Sequence, residues 1–439
     1  MRRPYSPLSP EQQAAYRDLA IGRTIYPHPL TETSVYVHIP FCSSRCRYCD
    51  FYFETGWSPA VLNRTLARII EEAAFFMQHC STPKVRTLYI GGGTPSVIPP
   101  SLLEDFLGKL SAVLQLDPHT CSEWSFEANP ENITPELLQV LKKAGVTRLS
   151  IGIQSFSDHL LRTLTRRAYS SSISSALQLV SRNWTSADHT YSIDLISGIP
   201  GQTAADITLD LQQLQRWQPD HVSHYTLTVE PQTPLHQMIE RGDLKLPEQD
   251  SLWEQLHLGL QQSGYEHYEI SNYARDKRYS RHNIAYWQMR PYIGLGPGAV
   301  GTIPLTDHDG IGFPGRLTNP DLFHYSAPSC PSWRHEIEPL NPADMFTDYC
   351  ITGLRTIWGI SRRDLIASFG SGVLEILQEF MHGQEDLFES DDQDAIRCTA
   401  RGRLLLNQVI RHGLGNIAAS PHRSLPDRIH WPPVQTAAG

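Results

Sequence analysis

The sequence has no long hydrophobic run. No stretch of its 439 residues approaches the ~18 consecutive apolar residues of a membrane-spanning helix, so no transmembrane segment is expected. Cysteine is scarce at 8 residues, too few for a disulfide scaffold, and a reducing, cytoplasmic address follows as the default. Positive charge is in deficit. Lys plus Arg number 37 against 46 Asp plus Glu, a formal charge of −9, which argues against a dedicated nucleic-acid binder. Near the start, Arg2 and Arg3 are followed by Pro4, Pro7 and Pro10 rather than an apolar core, so no secretory signal is expected there. With 40% apolar and 19% charged residues, the chain is neither globally disordered nor unusually polar.

What is present is an alternation. Short runs rich in β-branched and aromatic residues, at 34–39, 86–90, 123–128, 148–153, 190–196 and 221–227, predict strands. Helical patterns lie between them at 60–78, 100–116, 135–144, 173–181 and 204–217. Such alternation signals βα units and a parallel sheet. Six strands fall short of the eight of a complete barrel, leaving a partial barrel or a doubly wound sheet. Unusual chemistry follows nearly every strand, in Pro40-Phe41-Cys42, Gly91-Gly92-Gly93-Thr94-Pro95, Glu127-Ala128-Asn129-Pro130 and Gln154-Ser155-Phe156. Successive strand ends serving one site favour the barrel, because a doubly wound sheet gathers its ligands at one switch point.

The expected organisation is an N-terminal extension over 1–33, a partial (βα)6 barrel over 34–228 and an irregular extension over 229–306. A Pro-, Gly- and Ser-rich linker over 307–342 then leads to a small helical, winged-helix-like C-terminal domain over 343–420 and a disordered tail over 421–439. Within the extension, 291–301 reads as a Gly-rich loop.

Three of the cysteines, Cys42, Cys46 and Cys49, fall in one short segment with C-x3-C-x2-C spacing. Three thiolates do not complete the four-ligand shell of structural zinc, and His38 is the nearest other ligand. An iron–sulfur cluster held by three protein thiolates leaves one iron open to a small molecule. A zinc knuckle or chance clustering is the alternative reading.

These residues resemble the radical S-adenosylmethionine (SAM) superfamily, whose signature is this spacing after the first strand of a partial barrel. Tyr36-Val37-His38-Ile39-Pro40-Phe41-Cys42, Tyr48-Cys49-Asp50-Phe51, Gly91-Gly92-Gly93-Thr94-Pro95, Glu127-Ala128-Asn129-Pro130, Gly152-Ile153-Gln154-Ser155-Phe156 and the segment from Asp194 to Thr203 resemble the oxygen-independent coproporphyrinogen III oxidase group. Within that group they look most like the HemW-type heme chaperones. The resemblance implies a [4Fe–4S] cluster on Cys42, Cys46 and Cys49, with bound SAM. It places Gly92, Gly93 and Thr94 at the SAM amino group, Glu127 at the ribose hydroxyls and Arg166 at the methionine carboxylate. Gln154 and Asp194 would face the same pocket, and Tyr36 and Tyr48 would lie against the adenine or methionine part. Arg166 has Arg167 beside it as a rival for its role.

Two features divide chaperone from oxidase. Oxidases of this type continue the cluster motif as Cys-Gly-Cys and carry a longer N-terminal arm, whereas Asp50 and Phe51 follow Cys49 here. The run Arg281-His282-Asn283-Ile284-Ala285-Tyr286-Trp287 matches the HNxxYW motif of the HemW group, which implies heme at His282. A departure is Val300, where many relatives have His. The function so implied is a heme chaperone, with a heme-acceptor protein and an electron donor as partners. The rivals are radical decarboxylation of coproporphyrinogen III, which would make the chain an enzyme, and another radical reaction on a tetrapyrrole.

Overall fold

The computed structural model describes residues 25–184, 188–307, 312–326, 335–389, 394–419 and Trp431. After β1 (Ile25–Pro27), six strands follow one another through helical crossovers: β2 (Glu32–Ile39), β3 (Lys84–Gly92), β4 (Glu123–Ala128), β5 (Arg148–Gln154), β6 (Thr190–Ser197) and β7 (His221–Thr226). The helices between them are α1 (Pro59–His79), α2 (Pro100–Val113), α3 (Pro135–Ala144), α4 (Asp158–Thr163), α5 (Ser170–Asn183) and α6 (Ala204–Trp217). Local chemistry sets their ends. Ser58 and Thr134 cap α1 and α3, each with Pro in the first turn, and Gly145 at φ 96° closes α3 in the left-handed conformation that a Cβ would disfavour.

β2 to β7 pair in parallel and in chain order, the six-unit partial barrel expected. Along each strand the residues alternate. Val35, Val37 and Ile39, Leu88 and Ile90, Phe126, Leu149 and Ile151, Ile193 and Leu195, and Val222 are buried apolar residues. The other phase is polar: Ser34 and Tyr36, Thr87 and Tyr89, Ser125 and Glu127, Arg148 and Ser150, Ser192 and Asp194, Ser223 and Tyr225. The register aligns these polar positions across the sheet, as in Tyr36 beside Tyr89, Glu127 beside Ser150 and Asp194 beside Ser223. Strand periodicity of two therefore divides an apolar outer layer from a polar lumen.

Beyond β7 come α7 (Pro234–Glu240), α8 (Gln249–Gln262), β8 (Glu266–Glu269), β9 (Asn272–Ala274) and α9 (Arg281–Trp287). β9 extends the sheet antiparallel to β7, and β8 pairs antiparallel to β9 at the edge. The expected Gly-rich loop at 291–301 is instead largely strand. β10 (Tyr292–Leu295) runs parallel to β2, and β11 (Val300–Asp307) turns back along it. Glycine is required there by a close approach, since a Cβ on Gly294 would run into the Val300 carbonyl. A glycine content that reads as loop is thus a strand-pairing constraint. The expected linker is likewise partly structured: β12 (Gly312–Thr318), α10 (Leu322–Tyr325) and β13 (Glu336–Pro339) continue the antiparallel edge. Its Gly and Pro mask the β pattern.

The C-terminal unit packs α11 (Pro342–Gly353), α12 (Arg362–Phe369), α13 (Val373–Met381), α14 (Ala400–Leu404) and α15 (Leu406–Ala419) with a ribbon of β14 (Ile360–Ser361) and β15 (Ala395–Ile396). It joins the barrel edge where the Ile357 N–H donates to the Tyr268 carbonyl at 3.0 Å. Residues 1–24, Cys330 and most of the expected disordered tail lie outside the described residues. Within that tail Trp431 is buried, and its indole donates to the Met289 carbonyl at 2.8 Å, because an apolar ring that reaches the core gains by burial.

One buried carboxylate holds the antiparallel edge to the barrel. Glu72 of α1 accepts from the Gly296 N–H at 2.8 Å, Asn319 at 2.9 Å, the Tyr325 hydroxyl at 2.7 Å and His335 Nε2 at 3.1 Å. Glu72→Ala leaves four buried donors without their acceptor. It is expected to cost about 3 kcal/mol or more, read as a fall in the urea midpoint at unchanged slope. An unchanged midpoint would refute this role.

Candidate functional site

The C-terminal ends of the parallel strands open into a cavity of about 450 Å3. Its mouth carries the thiols of Cys42, Cys46 and Cys49, on the loop after β2, and its lumen descends past Glu127 and Asp194 to Ser280 and Asn283 of the α9 region. The three cysteines are free, partly buried and close enough to act on one another electrostatically. Burial and their mutual repulsion push the Cys49 thiol up to about 11, while burial also raises Cys42, whose sulfur sits 3.4 Å from Thr94 Oγ1. Thiolates at these positions call for a positive partner. Among the described residues no set of three or more His, Cys, Asp and Glu side chains converges as a single-ion site does. His38, the candidate fourth ligand of a zinc reading, is occupied. Its Nε2 donates to the Tyr52 carbonyl at 2.9 Å, so its Nδ1 accepts from the Tyr36 hydroxyl at 2.9 Å.

The glycine loop after β3 approaches the cysteine loop along its backbone. The Gly93 and Thr94 N–H groups donate to the Ile39 and Phe41 carbonyls at 2.8 Å each. Gly92 has φ 111°, and a Cβ there would stand 2.6 Å from the His38 ring. No other residue type fits both demands.

Glu127 stands at the end of β4 with both oxygens engaged. Oε1 accepts from the Tyr89 hydroxyl at 2.6 Å and Oε2 from the Gly92 N–H at 3.1 Å. Burial pushes its carboxyl up to about 7, against the pull of these donors. Asp194 is raised by burial too, with Ser150 donating at 3.4 Å and Ser223 and the Arg148 charge opposing. Arg166 is buried and donates to Asn129 Oδ1 at 2.8 Å and the Gly152 carbonyl at 2.5 Å, with Nη1 3.7 Å from Cys46 Sγ. Its Nε has no hydrogen-bond partner. Arg167 is exposed, so Arg166 is the inward one of the pair. Gln154 sits at φ 73° where the β5–β6 register slips, a backbone conformation that costs energy and turns the strand end into the cavity.

Of the residues singled out from sequence, Tyr48, Gly92, Gly93, Thr94, Glu127, Gln154, Arg166, Asp194 and the three cysteines all line this one cavity. Tyr36 does not line it. Its hydroxyl is spent on His38, and the neighbouring Tyr89, 6.1 Å away between ring centres, holds the place against Glu127. Asn129, of the motif after β4, lines the cavity as well, and so do Tyr89, Arg148, Ser223 and Tyr225, which escaped sequence reasoning. The available signal was the polar phase of each strand. Arg148 is buried with Nε and Nη1 unpartnered, a cation deep in the lumen.

His282 lies apart from the cavity mouth. Helix α9 plugs the barrel where the strands begin, and the Glu123 carboxylate accepts the backbone N–H groups of Arg281 at 2.9 Å and His282 at 3.1 Å. Both ring nitrogens of His282 are used. Thr87 gives its hydroxyl hydrogen to Ser34 at 2.9 Å, so it accepts from His282 Nδ1–H at 2.8 Å, and Nε2 accepts from the Tyr286 hydroxyl at 2.7 Å. Burial lowers the imidazole to about 3, keeping it neutral. In this conformation the ring is buried with both nitrogens engaged, Nε2 by a tyrosine one turn along the same helix.

Residues 36–214 match the radical SAM superfamily. The chain is 30% identical to the heme chaperone HemW of Bacillus subtilis over 406 residues, 88% of this chain and all of that protein. It is 34% identical to the heme chaperone HemW of Synechocystis over 348 residues, 76% of this chain and 80% of that one. Among solved structures, coproporphyrinogen III oxidase (HemN) from Escherichia coli, described as a radical SAM enzyme, superposes with a TM-score of 0.72 at 22% identity, covering 93% of this chain and 94% of that one.

Tyr89 donates to the charged form of Glu127. Tyr89→Phe is therefore expected to raise that carboxyl above its value of about 7, measured by carbon-13 titration of glutamate carboxyls. A titration that falls or stays in place would show that the hydroxyl does not set it.

Proposed function

Because the chain belongs to the HemW family of the radical SAM superfamily, we propose that it is a heme chaperone, one that binds heme and passes it to an acceptor protein. The observation that carries this reading is the match to HemW proteins at 30% identity over the full length of one of them. The likeness to the oxidase, at 22% identity, extends to the fold alone. The cluster motif continuing as Asp50-Phe51 rather than Gly-Cys after Cys49 supports the same choice.

The radical SAM family implies a [4Fe–4S] cluster and SAM, and the residues present fit both. Cys42, Cys46 and Cys49 would hold three irons of the cluster. When bound, the cluster supplies an open iron and a one-electron donor to SAM. The Gly92-Gly93-Thr94 loop offers a ligand its backbone without side chains. Glu127 would turn from Tyr89 and Gly92 to accept the ribose hydroxyls. The unpartnered Nε of Arg166 suits a carboxylate, which its guanidinium can meet with parallel hydrogen bonds. Gln154 and Asp194 would close the lumen side of the pocket, with Tyr48 against the methionine or adenine part. An electron donor for the cluster and the heme acceptor are the partners this requires. Among the described residues no helix is long and apolar enough to cross a membrane.

Glu127 accepts hydroxyls best as a carboxylate. Its raised value of about 7 means that it takes up a proton as pH falls through neutrality. SAM affinity of the anaerobically reconstituted protein is thus expected to rise with pH across that range, and Glu127→Gln to flatten the profile. Equilibrium dialysis at several pH values checks this, and an unchanged profile in the variant would remove Glu127 from the site.

The function itself is tested by reconstituting the protein without oxygen and titrating heme. Wild type is expected to show a Soret band that saturates with heme and transfers to an apo-hemoprotein, while Cys46→Ala loses the iron–sulfur absorbance. A wild type that binds no heme and decarboxylates coproporphyrinogen would overturn the chaperone reading in favour of the oxidase.

A further inference from the structure

Ser34 of β2, Thr87 of β3, and His282 and Tyr286 of α9 form one hydrogen-bonded line through the barrel floor. Its protons can be placed one by one. Thr87 gives its hydrogen to Ser34 Oγ at 2.9 Å. A hydroxyl has a single hydrogen, so towards His282 Thr87 can only accept, and Nδ1, 2.8 Å away, carries the proton. Nε2 therefore keeps its lone pair, and the Tyr286 hydroxyl donates to it from 2.7 Å. A neutral imidazole with one protonated nitrogen and one lone pair is the form that binds iron, and the partner of the protonated nitrogen sets the ring's orientation.

The two ends of this line differ. Ser34, Thr87 and His282 are buried. The His282 ring is braced by Tyr89, 5.1 Å away between ring centres at 31°, and its backbone is held by Glu123. The proton side of the imidazole is thus built into the sheet. Tyr286, on the lone-pair side, is partly exposed, with its ring 4.4 Å from that of Tyr292. Rotation of this one side chain uncovers Nε2 while the strands and the anchored first turn of α9 stay in place.

We propose that Thr87 and Tyr286 are positioning residues that make His282 a reversible iron ligand. Thr87 holds the proton on Nδ1 and so reserves Nε2 for the metal. Tyr286 caps Nε2 and gives it up to heme iron. The exchange breaks the Tyr286–His282 hydrogen bond and forms an iron–nitrogen bond. No electron moves, and no proton is released, because Nε2 carries none and the phenol keeps its own. The inference rests on the heme-chaperone reading and on heme at His282. A cap that closes again on the vacated nitrogen stabilises the heme-free state, which suits a protein that must pass its cargo on.

The test is a heme titration of the reconstituted full-length protein followed at the Soret band. Tyr286→Phe keeps the ring and removes the competing hydrogen bond, so it is expected to tighten heme by about fivefold and to slow its release to an apo-hemoprotein. Thr87→Val matches the shape of threonine without the acceptor. It is expected to weaken heme by about tenfold or more and to shift the Soret band, and Thr87→Ser to restore the wild-type spectrum. Where Thr87→Val fails to fold, Tyr286→Phe decides. Heme affinity in Tyr286→Phe equal to or below that of wild type would overturn the cap, and an unaltered spectrum and affinity in Thr87→Val would overturn the role of Thr87. His282→Ala that keeps wild-type affinity and spectrum would overturn the whole inference and leave the chaperone reading standing. Absence of heme binding in wild type would overturn both.

Discussion

The in-register parallel pairing of β2 to β7 is the constraint on which the rest depends. Each strand alternates an apolar residue outward with a polar one inward, so a slip of one residue in any pair would exchange core and lumen. Held in register, the strands stack polar groups in layers: Ser34, Thr87 and Glu123 at one level, Tyr36, Tyr89 and Ser125 above it, and Glu127 and Ser150 above that. The apolar phase drives assembly, and the polar phase is tolerated because it is enclosed in pairs and networks.

The two ends of this lumen do different things. At the strand C-termini, loops bring three thiols, a glycine backbone and the guanidinium of Arg166 around one cavity. At the strand N-termini, α9 enters as a plug held by Glu123, and His282 ties it to Thr87 of β3 while Tyr286, one turn on in the same helix, donates to its other nitrogen. Ser280 and Asn283 from this region then form part of the cavity wall. The HNxxYW segment therefore shapes the cavity from below, whatever else it does. Charge follows the same division, since Glu127 and Asp194 share a low-dielectric space with Arg148 and Arg166 and all four are perturbed or left partly unpaired. Unpaired groups of that kind are commonly completed by a ligand.

Much of the site was legible in the sequence, because its parts are short motifs at strand ends. The cysteine spacing, the Gly91–Gly93 run, Glu127 and Arg166 are each visible one at a time. What escaped was of two kinds. Tyr89, Arg148 and Ser223 belong to the inward phase of strands whose other phase is apolar, and a single polar residue in such a run looks like ordinary alternation. The strands at 292–295 and 312–318 escaped because their glycines and prolines read as turn, although close backbone approach is what demands Gly294.

By itself the sequence determined the six βα units, the three-thiol loop and the residues after each strand. These follow from local periodicity and spacing, which the chain carries wherever it folds. Only the tertiary structure decided that Tyr89 rather than Tyr36 faces Glu127, that His282 is buried in the barrel floor, and that Thr87 and Tyr286 meet its two nitrogens. The reason is physical. Which nitrogen carries the proton depends on partners far away in the chain, and only packing brings those partners within hydrogen-bonding distance.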